Sequence, residues 1–419
     1  MTSRERIVAA INHREPDRAP VDFGGTVVTG LAAGVIPHLR VALGLDKAVQ
    51  PVKVFEPVQM LGEITGDLRE SLHCDCVGIF GTSNRFGFKN EDWKEWTMFD
   101  GTRVLVPGKF NTDPDMNGDI VQYPRGDKTL APSSRMPAGG LYFDAIVRQK
   151  PIDEDKLDPA DNVEEFGLIP ETELEHFRKS AEHLHRNTDL AVILAMPGAA
   201  LGNVAAIPAP WIESPNGIRD TEEWYISHAL RRDYVYEVYD RQTDISMNNL
   251  KKVYEAVGNN IEILYLSGSD FGTQRGPLFS PEMFRDLYKP FFKRMCGWIH
   301  ANTAWKVMIH SCGGNRPLME DIIDAGIDIF NPVQCSAEGM EPNALKRDFG
   351  NRITFWGGGV DTQQTLPFGT PEEVYTEVRE RIRIFNRGGG FVFNTIHNIQ
   401  TNTPTENILA MKKAVEDSV

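Results

Sequence analysis

His310 and Cys312 close the apolar run KVMIHSCGG (306–314), two residues apart. In an extended strand alternate side chains share a face, so an imidazole and a thiol would project together. Three kinds of chemistry suit such a pair. A catalytic zinc takes three protein ligands and keeps a fourth position open. His310 and Cys312 would supply two of them, and either His397 or Cys335 the third. A Cys–His nucleophile pair is a second reading, but nothing marks an oxyanion hole or an acyl substrate. The third is packing alone, with buried thiols and with histidines bonded to backbone carbonyls. His73, Cys74 and Cys76 look similar, yet they begin their apolar run instead of ending it, and core packing is expected there.

Eight short apolar runs must position these groups. They are RAPVDFGG (18–25), CDCVGIFG (74–81), LAVILAMPG (190–198), EILYLSGSD (262–270), KVMIHSCGG (306–314), IDIFNPVQC (327–335), ITFWGGGVD (353–361) and GFVFNTIHN (390–398). Continuous apolarity marks strands covered on both faces, as in a parallel sheet. Helical patterns stand between most of them, with start signals at Thr2/Glu5, Ser280-Pro281 and Thr370-Pro371/Glu373. Eight strand–helix units predict an α/β TIM barrel spanning residues 1–419 as one domain. A long insertion, 82–189, is expected between the second and third strands as a lid or oligomer contact, with a hairpin at Asp100-Gly101.

Barrel chemistry belongs at the C-terminal ends of the strands. Reading only those ends brings His310, Cys312, Cys335 and His397 to one rim. Asp270 and Asp361 join them as candidates to orient a substrate or donate a proton. Phe271, Gln274, Gln334, Trp356 and Asn394 are the candidate substrate-binding residues.

The bulk properties narrow the partners. A formal net charge of −15 argues against nucleic acid, which needs clustered Lys and Arg. Five cysteines suit a reducing cytoplasm better than a disulfide framework. The uncharged stretch 190–211 has the length of a membrane span, but Pro197, Asn203, Pro208 and Pro210 interrupt it. With a mean hydropathy of −0.33 for the chain, a buried strand is expected there and no membrane association.

Four segments carry a resemblance: GSDFGTQRGPLFSPEMF (268–284), IHSCGGNRPLMEDIIDAGIDIFNPVQ (309–334), FWGGGVDTQQTLPFGTPEEV (355–374) and HNIQTNTPTENILAM (397–411). Together with the opening RERIVAAINHREPDRAPVDF (4–23), they resemble the uroporphyrinogen decarboxylase superfamily. The resemblance covers most of the chain outside 82–189 and implies a TIM barrel and, by analogy, a homodimer. The superfamily has a cofactor-free decarboxylase branch and a corrinoid-dependent methyltransferase branch. Decarboxylases bind a highly anionic tetrapyrrole, with an arginine-rich segment after the first strand and an aspartate ending the second. Here GGTVVTGLAAG (24–34) has no arginine, Thr82 stands near the aspartate position, and the rim cations are chiefly Arg275 and Arg316. That departure weighs against decarboxylation.

The coenzyme M branch binds zinc through a His-x-Cys pair and a distant cysteine. His310 and Cys312 match the pair; the distant position aligns with His397, a departure. Two neutral imidazoles and one thiolate would leave zinc more positive than two thiolates would, and better suited to polarising an ether oxygen. The resemblance therefore implies a zinc enzyme that moves a methyl group from an O- or N-methylated small molecule, such as an aryl methyl ether, to a corrinoid on a separate protein. The alternatives are a metal-free lyase of the decarboxylase type and a methylcobalamin:thiol methyltransferase.

Overall fold

The strand Lys306–His310 pairs in parallel with Ile263–Ser267 on one side and with Ile329–Asn331 on the other. All of its residues after Lys306 are buried, as expected of a run covered on both faces. In the computed structural model, which describes residues 1–418, this pairing continues through a curled seven-stranded parallel sheet. Its order is Phe391–Val392, Thr354–Trp356, Ile329–Asn331, Lys306–His310, Ile263–Ser267, Ala191–Ala195 and Cys76–Ile79.

The eighth run closes the ring with very little strand. Val21 bridges Phe393 in parallel, and on the other side Val21 O accepts from Asp75 N at 2.7 Å. The carboxylate of Asp75, fully buried, accepts from Val21 N at 2.9 Å and is held by Arg6 at 2.6 Å and Arg18 at 2.7 Å. A buried charge needs such partners to be tolerated. The molecule is thus an α/β barrel of the TIM type, its interior filled by Ile193, Ile263, Met308, Ile329 and Trp356. The first helix, Ser3–Ile11, plugs the bottom with Ile7, Ala10 and Ile11.

Helix starts follow the local chemistry. Thr2/Glu5 and Thr370/Glu373 form complete capping boxes, and the Ser280 side chain accepts from Met283 N. No described helix is long and apolar enough to cross a membrane; the 190–211 stretch is the strand Ala191–Ala195 followed by turns.

The segment expected as an insertion, 82–189, contains several elements. The hairpin at Asp100-Gly101 is present, joining Lys94–Thr97 to Arg103–Val106. However, Arg103–Val106 also pairs in parallel with Val52–Glu56, which precedes the second barrel strand. The resulting four-stranded sheet has its own core of Phe86, Phe88, Phe110, Phe143 and neighbours. At the other end, Glu171–Asn187 is a barrel helix, burying Leu174, Phe177 and Ala181. Its apolar stripe faces the barrel, so the added material ends before it.

Candidate metal centre and adjoining cavities

His310 is the last residue of its strand, and its register partner is Asn331 on the next. Asn331 Oδ1 lies 2.6 Å from His310 Nδ1, while the Asn331 amide nitrogen donates to Trp356 O at 2.9 Å. An amide nitrogen committed as donor leaves the oxygen as acceptor, so His310 carries its proton on Nδ1. The Nε2 lone pair then faces Cys312 Sγ at 3.3 Å.

The loop holding Cys312 is tied at several points. Cys312 N donates to Asp270 Oδ1 at 2.7 Å and Gly313 N to Gln334 Oε1 at 2.7 Å. Asn315 Nδ2 contacts the carbonyls of Ser311, Cys312 and Gly313. Gly313 has φ +91°, and a Cβ there would collide with backbone atoms of Gly272 and Thr273. The doubled glycine after Cys312 is therefore a close-approach requirement.

His397 arrives from the end of the eighth run. Its ring stands 5.4 Å from that of His310, edge-on at 73°. The donor atoms of His310, Cys312 and His397 all lie within 4.8 Å of one another. Burial, with His310 beside it, pushes the His397 imidazole down to about 3, so the ring is neutral with a lone pair to offer. Its nitrogens make no hydrogen bond among the described residues. Tetrahedral zinc with bonds of about 2.0 Å to nitrogen and 2.3 Å to sulfur needs donors roughly 3.5 Å apart. The set fits zinc in donor type and number, and the His310 Nε2–Cys312 Sγ separation of 3.3 Å fits in spacing. Without a metal, burial and the Asp270 carboxylate raise the Cys312 thiol well above its usual range, which disfavours a free thiolate nucleophile.

Of the other expected residues, Asp270 belongs to this cluster: its Oδ1 is 3.8 Å from His310 Nε2. Gln274 and Gln334 line a cavity of about 280 Å³ beside Cys312 and His397. The rest have other tasks. Cys335 Sγ contacts the carbonyls of Val333 and Gly358 and stays outside the donor set; burial holds it protonated, up to about 12. Asp361 Oδ1 accepts from Gln363 N and Gln364 N, a turn-closing role. Phe271 turns into an aromatic cluster with Phe284 at 5.4 Å and Tyr288 at 5.1 Å. Trp356 lies inside the barrel, its Nε1 donating to Asp22 Oδ2 at 2.9 Å. Asn394 is buried, bonded to the carbonyl of Asp22 at 2.7 Å. Each sits at a strand end, but its side chain serves packing or backbone.

A second cavity, of about 420 Å³, opens beside the cluster over the ends of the second, third and fourth strands. Phe55, Phe80, Phe166, Trp211 and Tyr265 give it aromatic walls. Glu56 reaches it from the end of the added sheet's strand Val52–Glu56, and Arg85 from the loop after the second barrel strand. Sequence reasoning missed Asn331, Arg85 and Tyr265. Asn331 could have been found as the strand-end neighbour of His310. Arg85 had no such signal, because it precedes the added sheet's hairpin. The cations expected at the rim fare differently: Arg316 is bound to Asp348 at 2.5 Å, and Arg275 is exposed.

Comparison with known proteins gives the family. The profile described as uroporphyrinogen decarboxylase (URO-D) matches residues 140–418. A methylated-thiol--coenzyme M methyltransferase of Methanosarcina mazei is 24% identical over 262 residues, which is 62% of this chain and 61% of that enzyme. A uroporphyrinogen decarboxylase of Coxiella burnetii is 22% identical over 148 residues, 34% of this chain and 38% of its own length. The chain thus spans less than two thirds of each of these relatives. A solved methyltransferase structure from Methanosarcina mazei superposes with a TM-score of 0.54 at 16% identity, covering 100% of this chain and 99% of that one, which shows a shared fold.

Proposed function

The chain belongs to the uroporphyrinogen decarboxylase family, and from that premise we propose that it is a zinc-dependent methyltransferase. It moves a methyl group from an O- or N-methylated small molecule, such as an aryl methyl ether, to the corrinoid of a separate protein. The observation that carries this reading is the His310–Cys312–His397 donor set, with atoms within 4.8 Å at the C-terminal rim. The relative named as a methylated-thiol--coenzyme M methyltransferase supports methyl transfer as the reaction type.

His310, Cys312 and His397 would hold the metal, which supplies a Lewis acid to the oxygen or nitrogen that loses its methyl group. Asn331 keeps His310 in the tautomer that presents Nε2. Asp270 holds the Cys312 backbone through Oδ1, and its half-buried carboxylate stands 3.8 Å from His310 Nε2. The aromatic walls of the larger cavity would shield a bound methylated substrate from water. A highly anionic tetrapyrrole suits this cavity poorly, since Arg85 is its one lining cation among the described residues.

Metal analysis of the purified protein tests the reading. The wild type should carry about one zinc per chain, on the expectation of a three-ligand site. Cys312→Ser and His397→Ala should lose it and Cys335→Ala should keep it. Methylation of a Co(I) corrinoid protein by an aryl methyl ether should follow the same pattern. A wild type purified without chelators and free of metal would overturn it and bring forward the metal-free lyase.

A further inference from the structure

Arg85 lines the 420 Å³ cavity, half-buried, and makes no hydrogen bond or ion pair among the described residues. Most guanidinium groups around it in the fold are spent. Arg219 is held by Glu164 and Glu165, and Arg148 by the carbonyls of Ile212 and Ala209. Neither acidic lining residue forms an ion pair with Arg85 among the described residues, although Glu56 feels its charge. Glu165 is taken by Arg219, and Glu56 accepts from its own turn, at Val58 N and Gln59 N.

A second group faces the same space. Tyr265 is 9% exposed and lines the cavity, and its hydroxyl has no hydrogen-bond partner among the described residues. The ring is packed into the barrel, and a hydroxyl left without a protein partner at a cavity wall is free to donate to a ligand. Tyr265 also lies within electrostatic reach of Arg85, Asp270 and Cys312, so the cavity and the donor set are neighbours. A fork of N–H donors and one O–H donor, both unspent, in a chamber walled by Phe55, Phe80 and Trp211, matches a flat body carrying a carboxylate.

We propose that Arg85 and Tyr265 form the carboxylate subsite of this cavity, so that the substrate is a small methylated aromatic acid held by its carboxylate. The proposal rests on the methyltransferase reading for the word substrate, and on the cavity alone for the anion. Arg85 would take the carboxylate in a bidentate pair, and Tyr265 would donate to the oxygen nearer the donor set. The aromatic walls would then direct the methylated end toward His310 and Cys312. These are specificity-determining contacts, and neither group takes part in bond breaking.

Calorimetric binding to the purified protein is the test, with 4-methoxybenzoate and its neutral isostere 4-methoxybenzamide as probes. The carboxylate should bind at least about tenfold more tightly than the amide, as expected for a charge-assisted bond. Arg85→Met should remove that preference by weakening the carboxylate far more than the amide, Arg85→Lys should restore part of it, and Tyr265→Phe should weaken the carboxylate more than the amide. Arg85→Lys keeps the positive charge that Glu56 feels, so this variant should melt as the wild type does and separates lost binding from lost folding. Equal binding of the two probes by the wild type, carboxylate affinity unchanged in Arg85→Met, or no binding of either probe would overturn the proposal. Binding does not require methyl transfer. A zinc-free protein with Arg85-dependent selectivity would therefore sink the methyltransferase reading and leave the subsite standing.

Discussion

Asn331 accepts from His310 Nδ1 at 2.6 Å while its own amide nitrogen is committed to Trp356 O at 2.9 Å. Two neighbouring strands thereby decide which nitrogen of His310 is free. Replacing Asn331 by Leu removes the acceptor and leaves the ring without a fixed tautomer. Zinc affinity should fall about 10- to 100-fold, as when such supporting partners are removed elsewhere. Competition with a chromophoric chelator measures it, and an unchanged affinity would show that the tautomer is set by something else.

Gly313 should be intolerant of even one methyl group. Its φ of +91° and the backbone of Gly272 and Thr273 both oppose a Cβ. Gly313→Ala is expected to cost about 2 kcal/mol or more in denaturant unfolding. It should also displace Cys312, read as faster alkylation of that thiol. Wild-type stability in this variant would contradict the close-approach account.

Asp75 closes the barrel where the first run offers almost no strand. Its carboxylate serves Arg6, Arg18 and Val21 N while fully buried. Asp75→Ala leaves two guanidinium groups short of a partner and should destabilise by about 3–5 kcal/mol. A loss under 1 kcal/mol in urea unfolding would mean that the closure does not depend on it.

Lys346 gives a pH dependence. Its Nζ donates to Gly389 O at 2.6 Å, and burial draws its pKa from 10.5 down to about 8. Between those values the unfolded chain binds the proton and the folded chain does not, so the contribution to stability rises with pH. Below pH 8 the cost of burying the charge is fully present. The melting-temperature difference, Lys346→Met minus wild type, should therefore be largest near pH 7 and shrink toward pH 10. A difference independent of pH would contradict the shifted value.

Much of the fold was legible because a parallel strand covered on both faces must be apolar throughout. Seven of the apolar runs are strands at the expected places, and the eighth is reduced to the bridge at Val21. Capping signals were legible for a similar reason, since Thr370 and Glu373 satisfy backbone donors within one turn. What misled was treating strand ends as equivalent. Phe271 follows Asp270 directly, yet one enters an aromatic core and the other faces His310. The added sheet was not legible, because Val52–Glu56 finds its partner far along the chain, in Arg103–Val106.

By itself the sequence determined that eight apolar runs would pair and that imidazole and thiol would share one strand end, because both follow from periodicity and local chemistry. Only the tertiary structure decided that His397, and not Cys335, meets that pair, and that Arg85 leans over the neighbouring cavity. Those outcomes depend on the closure of the ring and the seating of the added sheet, which no local stretch of chain encodes.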